Sequence, residues 1–136
     1  MNILFFTILK HNVVYVYDDF TIKEALDKME SSHFAAIPIL NRAGNYVGTL
    51  TEGDILRTIT SNGDFNIKNV ETIPISKVPR FRDNQPIHSS AKMQDLIIKA
   101  TNQNFIPVVD DEDMFIGIVT RKDIINYFFE HNFIVL

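Results

Sequence analysis

The stretch IPILNRAGNYVGTLTEGDIL, Ile37 to Leu56, recurs without a gap as IPVVDDEDMFIGIVTRKDII, Ile106 to Ile125. A shift of 69 positions (106 − 37) carries Ile37-Pro38 onto Ile106-Pro107, Gly48 onto Gly117, Thr51 onto Thr120 and Asp54 onto Asp123. A duplication of this period means two copies of one supersecondary unit, neither able to bury its apolar face alone. The likeness extends upstream. The helical patterns TIKEALDKM (Thr21 to Met29) and SAKMQDLIIKA (Ser90 to Ala100) correspond, and each follows a strand-like piece: VVYVY at Val13 to Tyr17 and VPRFR at Val78 to Arg82. Each copy therefore reads strand–helix–strand–strand–helix, a tandem βαββα arrangement of the α+β class.

Local signals agree with this layout. Ile22, Ala25, Leu26 and Met29 fall on one face of a helix, and Thr21 with Glu24 forms a capping-box pattern at its start. Asn41 to Asn45 and Asp110 to Asp113 are polar breaks between apolar runs, so they read as hairpin turns. The runs YVGTL and FIGIV are apolar enough to need cover on both faces. Ile55, Leu56 and Ile59, and in the second copy Ile124, Ile125, Phe128 and Phe129, give short apolar-faced helices.

The chain has 136 residues and no cysteine. Each copy is then near the lower size limit for independent folding, with no disulfide to staple it. The two copies are expected to pack through their sheets about a pseudo-twofold axis. The expected boundaries are 1–62 for the first repeat with its lead-in segment, 63–77 for a polar linker, and 78–136 for the second repeat. A net charge of −4 supplies no global field for nucleic acid or anionic lipid. The apolar run at the N-terminus is interrupted by Lys10, His11 and Asn12, too early for a membrane span of ~20 residues, and it lacks the charge order of a signal peptide. A cytoplasmic protein is expected, without membrane or nucleic-acid partners.

The Ile-Pro strand, the hairpin and the following Gly-x-x-Thr-x-x-Asp stand in both copies, as GTLTEGD (Gly48 to Asp54) and GIVTRKD (Gly117 to Asp123). In these features, from about Val13 to Phe129, the chain resembles a tandem CBS-domain pair, or Bateman module, of the free-standing bacterial type. The resemblance implies a regulatory module, not an enzyme. It implies an adenine-nucleotide ligand in the clefts between the copies: AMP, ADP, ATP, S-adenosylmethionine or cyclic di-AMP. It also implies a homodimer in the form of a CBS–CBS disc and an effector protein yet to be identified. The segment ISKVPRFRDNQPI (Ile75 to Ile87) followed by FIGIVTRKD is similar to free-standing bacterial CBS proteins that sense cyclic di-AMP.

Two readings of the threonine and aspartate stand side by side. As a ligand site, the carboxylate of Asp123 or Asp54 can accept from both ribose hydroxyls, while Thr120 or Thr51 bonds a ribose or phosphate oxygen. The free N–H groups at the following helix start favour a phosphate. Ile106 and Pro107, with Ile37 and Pro38, belong to the family's base-binding strand. Arg121 can add a charge-assisted contact at the second motif, where the first carries Glu52 and Gly53, so an anion should favour the second site. Arg80 could compensate at the other; Arg80 and Arg82 could equally blunt a solvated edge strand. As a structural device, Thr-x-x-Asp before an apolar helix is a capping box, and the alternative function is then a ligand-independent scaffold kept for dimerisation and partner docking.

Other constellations point away from chemistry. His11, His33, His88 and His131 have no metal-ligand spacing, and Asp110 to Asp113 lacks the spacing and glycine of an EF-hand loop. No metal site is expected. Ser89 and Ser90 read as a helix N-cap, since no nucleophile elbow or P-loop is present. Phe5, Phe6, Tyr127, Phe128, Phe129 and Phe133 exceed what a small core needs, so some are expected at the dimer interface, with burial in the monomer as the alternative.

Overall fold

A computed structural model describes residues 2–61 and 70–131. The chain divides into two compact units: Val14–Asp83, and the segment preceding Val14 together with the chain from Asn84 onward. This is not the division in chain order expected from the repeats. Strand β1 (Ile8–Leu9) accounts for the N-terminal exchange: it pairs antiparallel with β7 (Phe115–Thr120) of the second repeat, Ile8 opposite Ile118 and Leu9 opposite Gly117.

In the first unit, β2 (Val16–Tyr17) runs parallel to β3 (Ala36–Leu40), which pairs antiparallel with β4 (Tyr46–Thr51). Helix α1 (Ile22–Ser32) makes the crossover and α2 (Glu52–Ser61) follows β4. In the second unit, β5 (Ile87–His88) runs parallel to β6 (Phe105–Val109), β6 pairs antiparallel with β7, α3 (Met93–Ala100) makes the crossover, and α4 (Arg121–Glu130) follows β7.

The 69-residue shift of the sequence persists in the hydrogen-bond register. Ile39 opposes Gly48 as Val108 opposes Gly117, and an irregularity follows in each hairpin at Leu40 and Val109. The turns match as well. Asn41 accepts from the Asn45 amide and Asp110 from the Glu112 and Met114 amides. Gly44 and Asp113 both take positive φ, 96° and 60°, a conformation that glycine adopts freely and aspartate tolerates. The acidic run is thus a turn whose first carboxylate caps its own backbone.

Helix α1 forms as its sequence predicts. Thr21 and Glu24 make the reciprocal capping box, and Ile22, Ala25 and Met29 are buried. His33 ends the helix in the left-handed conformation. Helix α3 differs from expectation: it begins at Met93, its N-cap is Lys92 with no side-chain bond, and Ser89 and Ser90 lie in the preceding turn.

The lead-in strand of the second copy is a correction. Val78–Arg82 is not a strand; β5 at Ile87–His88 takes the place that β2 holds in the first copy, Ile87 beside Val108 as Val16 is beside Ile39. The segment after α2 folds back onto the first unit instead. Of the expected linker, residues 63–69 lie outside the described residues. Val70, Ile75 and Val78 are buried in the first core with Val16, Ile22, Met29, Ile37 and Leu50. The Ile22 and Lys23 amides donate to the Ile73 and Val70 carbonyls, and the Ile75 amide donates to Phe20. Burying ~25 cal/mol per Å² of apolar surface makes Ile75 part of the fold, not a tether.

The second core gathers Ile3, Phe6, Ile87, Leu96, Ile106, Val108, Val119 and Ile124. Phe6 is buried, and its ring meets Tyr127 edge-on at 4.7 Å. Monomer burial thus accounts for Phe6, while Phe5 and Phe129 are exposed and Phe133 lies outside the described residues.

Candidate functional site

Both motif threonines stand where an antiparallel strand becomes a helix. Thr120 has extended backbone (φ −92°, ψ 147°), and its hydroxyl accepts from the Asp123 amide at 3.1 Å. Thr51 does the same for the Asp54 amide at 3.0 Å. The next residue is anchored alike in each copy: the Glu52 amide donates to the Ala35 carbonyl, and the Arg121 amide to Asn104. The capping role of both threonines is therefore present, and the two aspartates differ.

Asp54 is 1% exposed and its carboxylate is fully engaged. It accepts from the Thr51 amide at 3.3 Å, the Phe81 amide at 3.0 Å and Arg57 Nη2 at 2.6 Å. The first two are neutral donors and the third is charged, which offsets the cost of burying the anion. The Asp123 side chain is half-buried, and among the described residues no donor reaches its carboxylate. Arg121 beside it uses Nε to donate to the Ala100 carbonyl at 2.7 Å, which fixes the guanidinium against the end of α3.

Ile37 and Ile106 are core residues, at 1% and 0% exposure, so their side chains face away from any ligand. Pro38 and Pro107 are buried too. The strands β2 and β5 reach only Ile39–Leu40 and Val108–Val109. The prolines thus sit just before the neighbouring parallel strand begins, and their missing N–H forfeits no ladder bond on that side. This leaves the backbone around Ile37 and Ile106 as the only part of those residues able to read a base.

Arg80 lies in the first unit. Its guanidinium holds Asp83 through Nε at 2.7 Å and Nη2 at 3.3 Å, and Asp83 accepts from the Thr49 amide of β4 at 3.0 Å. Gly48 makes room for this: a Cβ there would come within 2.5 Å of the Asp83 carboxylate and 2.7 Å of Arg80 Nε. Gly117 makes room for backbone, since a Cβ there would overlap the Ile8 carbonyl oxygen. The repeated glycine therefore serves close approach in both copies, to a side chain in one and to a strand in the other.

The residues that sequence reasoning passed over are Arg57, Phe81 and Asp83. Arg57 stands three residues after Asp54 on one helix, a spacing that marks a side-chain pair. The Phe81 amide carries no such signal, because its partner lies 27 residues away. Among the described residues, no cluster of His, Asp or Glu could hold a metal ion, and no helix is long and apolar enough to cross a membrane.

The CBS domain profile matches residues 7–61 and 68–130. The chain belongs to the CBS-domain family. Its two matches make it a tandem CBS pair, as the duplicated motifs imply. The pair is 28% identical to an uncharacterized protein of Methanocaldococcus jannaschii, MJ1426, over 87% of this chain and 86% of that protein. It is 27% identical to a homoserine O-acetyltransferase of Methanococcus vannielii over 88% of this chain, but spans only 23% of that enzyme. Among solved structures, CbpB in complex with c-di-AMP superposes with a TM-score of 0.88 at 23% identity, covering 98% of this chain and 89% of CbpB. That likeness establishes the fold of the CBS pair.

Proposed function

We propose that this CBS pair is a regulatory module without catalytic activity, which binds an adenine nucleotide of the AMP, ADP or ATP class at its second motif and signals through a partner protein. The observation that carries this reading is the unengaged carboxylate of Asp123 in the helix-start turn that Thr120 caps. A half-buried acceptor suits the two hydroxyl donors of a ribose. The first N–H groups of α4 and the dipole of its N-terminus favour the phosphates. The backbone at Ile106 and Pro107 would read the adenine edge, and Arg121, fixed by Ala100, would add charge. In the first motif, Thr51, Asp54, Ile37 and Pro38 repeat the sequence pattern, but Asp54 is engaged by the chain's own donors, so the second motif is the ribose site. A cytoplasmic homodimer acting on an effector protein fits a module with regulatory work and no chemistry of its own.

A second reading, cyclic di-AMP as the ligand, is favoured by the fold likeness to CbpB in complex with that nucleotide. The small share of homoserine O-acetyltransferase that is matched gives no ground for an acetyltransferase activity.

Calorimetric titration with AMP, ADP, ATP, S-adenosylmethionine and cyclic di-AMP tests the proposal. Saturable binding of one of these, weakened about tenfold or more by Asp123→Asn, is expected for the loss of a charged acceptor. Binding unchanged in that variant, or no binding of any of the five at millimolar ligand, removes the reading.

A further inference from the structure

We propose that the second repeat carries a site for a free aromatic amino acid, between α3 and the edge strand β5. The site is a cavity of about 330 Å³ lined by Pro86, His88, Ala91, Asp95, Ile98 and Lys99. None of these residues belongs to a Thr-x-x-Asp motif. The volume lies within the range of small-molecule pockets, ~300–1,000 Å³.

The first copy shows what such a place holds. A shift of 71 positions (87 − 16) carries Val16 of β2 onto Ile87 of β5, and the buried Ala25 and Met29 of α1 onto Leu96 and Ala100 of α3. The same shift carries Tyr15, Tyr17 and Phe20 onto Pro86, His88 and Ala91, and Lys28 onto Lys99. In the first copy the three rings pack edge-on, Tyr15 with Tyr17 at 5.6 Å and Tyr17 with Phe20 at 5.9 Å. Lys28 Nζ lies 5.7 Å from the Tyr15 centroid and 5.8 Å from that of Phe20, and donates to the Tyr15 carbonyl at 3.1 Å. In the second copy a proline, a histidine and an alanine leave this place open, with the lysine still beside it. An aromatic ring is therefore the group that fits, and Lys99 can meet its face.

Two further differences supply charge and an apolar wall. Glu24 corresponds to Asp95. Glu24 is engaged in its capping box, accepting from the Thr21 amide at 3.0 Å, whereas α3 has Lys92 at its N-cap with no side-chain bond. Among the described residues no donor reaches the Asp95 carboxylate and no acceptor the Lys99 ammonium. The two stand four residues apart on α3 and do not pair with each other. Asp27, paired with Lys23 in the first copy, corresponds to Ile98, which is 56% exposed. A ring-sized opening is thus flanked by one free carboxylate and one free ammonium. A free aromatic amino acid matches all three, with its ring in the cavity, its α-carboxylate on Lys99 and its α-ammonium on Asp95. An aromatic side chain within a protein lacks those two charges, so the charge pattern favours the free amino acid.

Calorimetric titration of the whole chain with L-phenylalanine, L-tyrosine and L-tryptophan tests the site. Saturable binding of at least one is expected, weakened about tenfold or more by Lys99→Gln and by Asp95→Asn. Ala91→Phe places a ring where the first copy has Phe20 and should abolish binding. Urea midpoints at or above that of wild type confirm that the variants are folded. L-alanine, with the charges and no ring, and N-acetyl-L-phenylalaninamide, with the ring and no charges, should each bind at least about tenfold less tightly. The proposal is overturned if none of the three aromatic amino acids binds at millimolar concentration or if Ala91→Phe leaves binding unchanged. It is also overturned if N-acetyl-L-phenylalaninamide binds as tightly as the free amino acid, which would point to a ring borne by a protein. Asp123→Asn should leave amino-acid affinity unchanged, so this site and the second-motif reading stand or fall separately.

Discussion

The Phe81 amide donates to the Asp54 carboxylate at 3.0 Å, joining positions 27 residues apart. This bond ties the segment after α2 to the helix start that the first motif caps. With Thr51 and Arg57 it converts an aspartate of the repeated motif into a latch. The second copy keeps the same Thr-x-x-Asp, but among the described residues no donor holds its carboxylate, and Asn126 stands where the first copy has Arg57. One sequence pattern therefore stands in two environments, and the surrounding chain decides which.

Asp54→Ala is expected to lower stability by about 3 kcal/mol, since it strands donors that are at least partly desolvated, two amides and a guanidinium. Asp123→Ala removes no bond from its carboxylate and should stay within about 0.5 kcal/mol of wild type. Urea denaturation of the two variants reads the contrast. Equal losses would mean that the latch contributes nothing.

The glycines of the motif predict a second asymmetry. At Gly117 an added Cβ meets the Ile8 carbonyl oxygen and the Thr7 side chain, so β1 must leave β7 or the strand must bend. At Gly48 the obstacles are the ends of the Asp83 and Arg80 side chains, which can swing aside. Gly117→Ala should cost about 1–3 kcal/mol, the range for overpacking, and Gly48→Ala less. Hydrogen exchange localises the effect: the β1 and β7 amides lose protection in Gly117→Ala, and a loss there in Gly48→Ala instead would contradict the assignment.

The Asp19–Arg42 pair gives a pH dependence. Arg42 donates to both Asp19 oxygens, at 2.7 and 2.9 Å, and lies 4.0 Å from the Tyr17 ring centroid. Those hydrogen bonds hold the Asp19 carboxyl below its ordinary range, against a smaller opposing effect of desolvation. A carboxylate with a lowered folded-state pKa stabilises fully above its unfolded value of ~3.9, and this contribution fades as pH falls through the folded value. The pair is fully exposed, so the effect is small and screened by salt. Arg42→Gln should therefore lower the urea midpoint slightly at pH 6, and by less as pH falls below the ordinary carboxylate range. A gap that widens on acidification would reverse the sign and refute the linkage.

The two hairpins were legible because the duplication is gapless: Ile37 to Asp54 and Ile106 to Asp123 fold with one register and one turn conformation. The cap at Thr21 was legible because its partner is three residues away. What the sequence hid lies in contacts without periodicity. Val78–Arg82 has the apolar and basic mixture of an edge strand, yet β5 is the two-residue Ile87–His88, too short to show alternation. The engagement of Asp54 was invisible for the same reason, since its decisive donor is a backbone amide supplied by tertiary folding. The polar content of the segment around Glu71 and Thr72 concealed two core residues, Val70 and Ile75.

That last point yields the most direct test of the architecture. Ile75 has no exposed surface and sits in the core of the first unit, in a segment whose composition reads as a linker. Its amide donates to Phe20, and the adjacent Pro74 bridges to Thr21 at the start of α1. Truncation to alanine leaves a cavity that α1 and β3, held by their own hydrogen bonds, cannot readily close. Ile75→Ala should lose about 2–5 kcal/mol, the cost of an aliphatic core truncation. Ser76→Ala, beside it but exposed, should lose less than about 0.5 kcal/mol. If the segment were a tether, the two substitutions would be equally silent in urea denaturation.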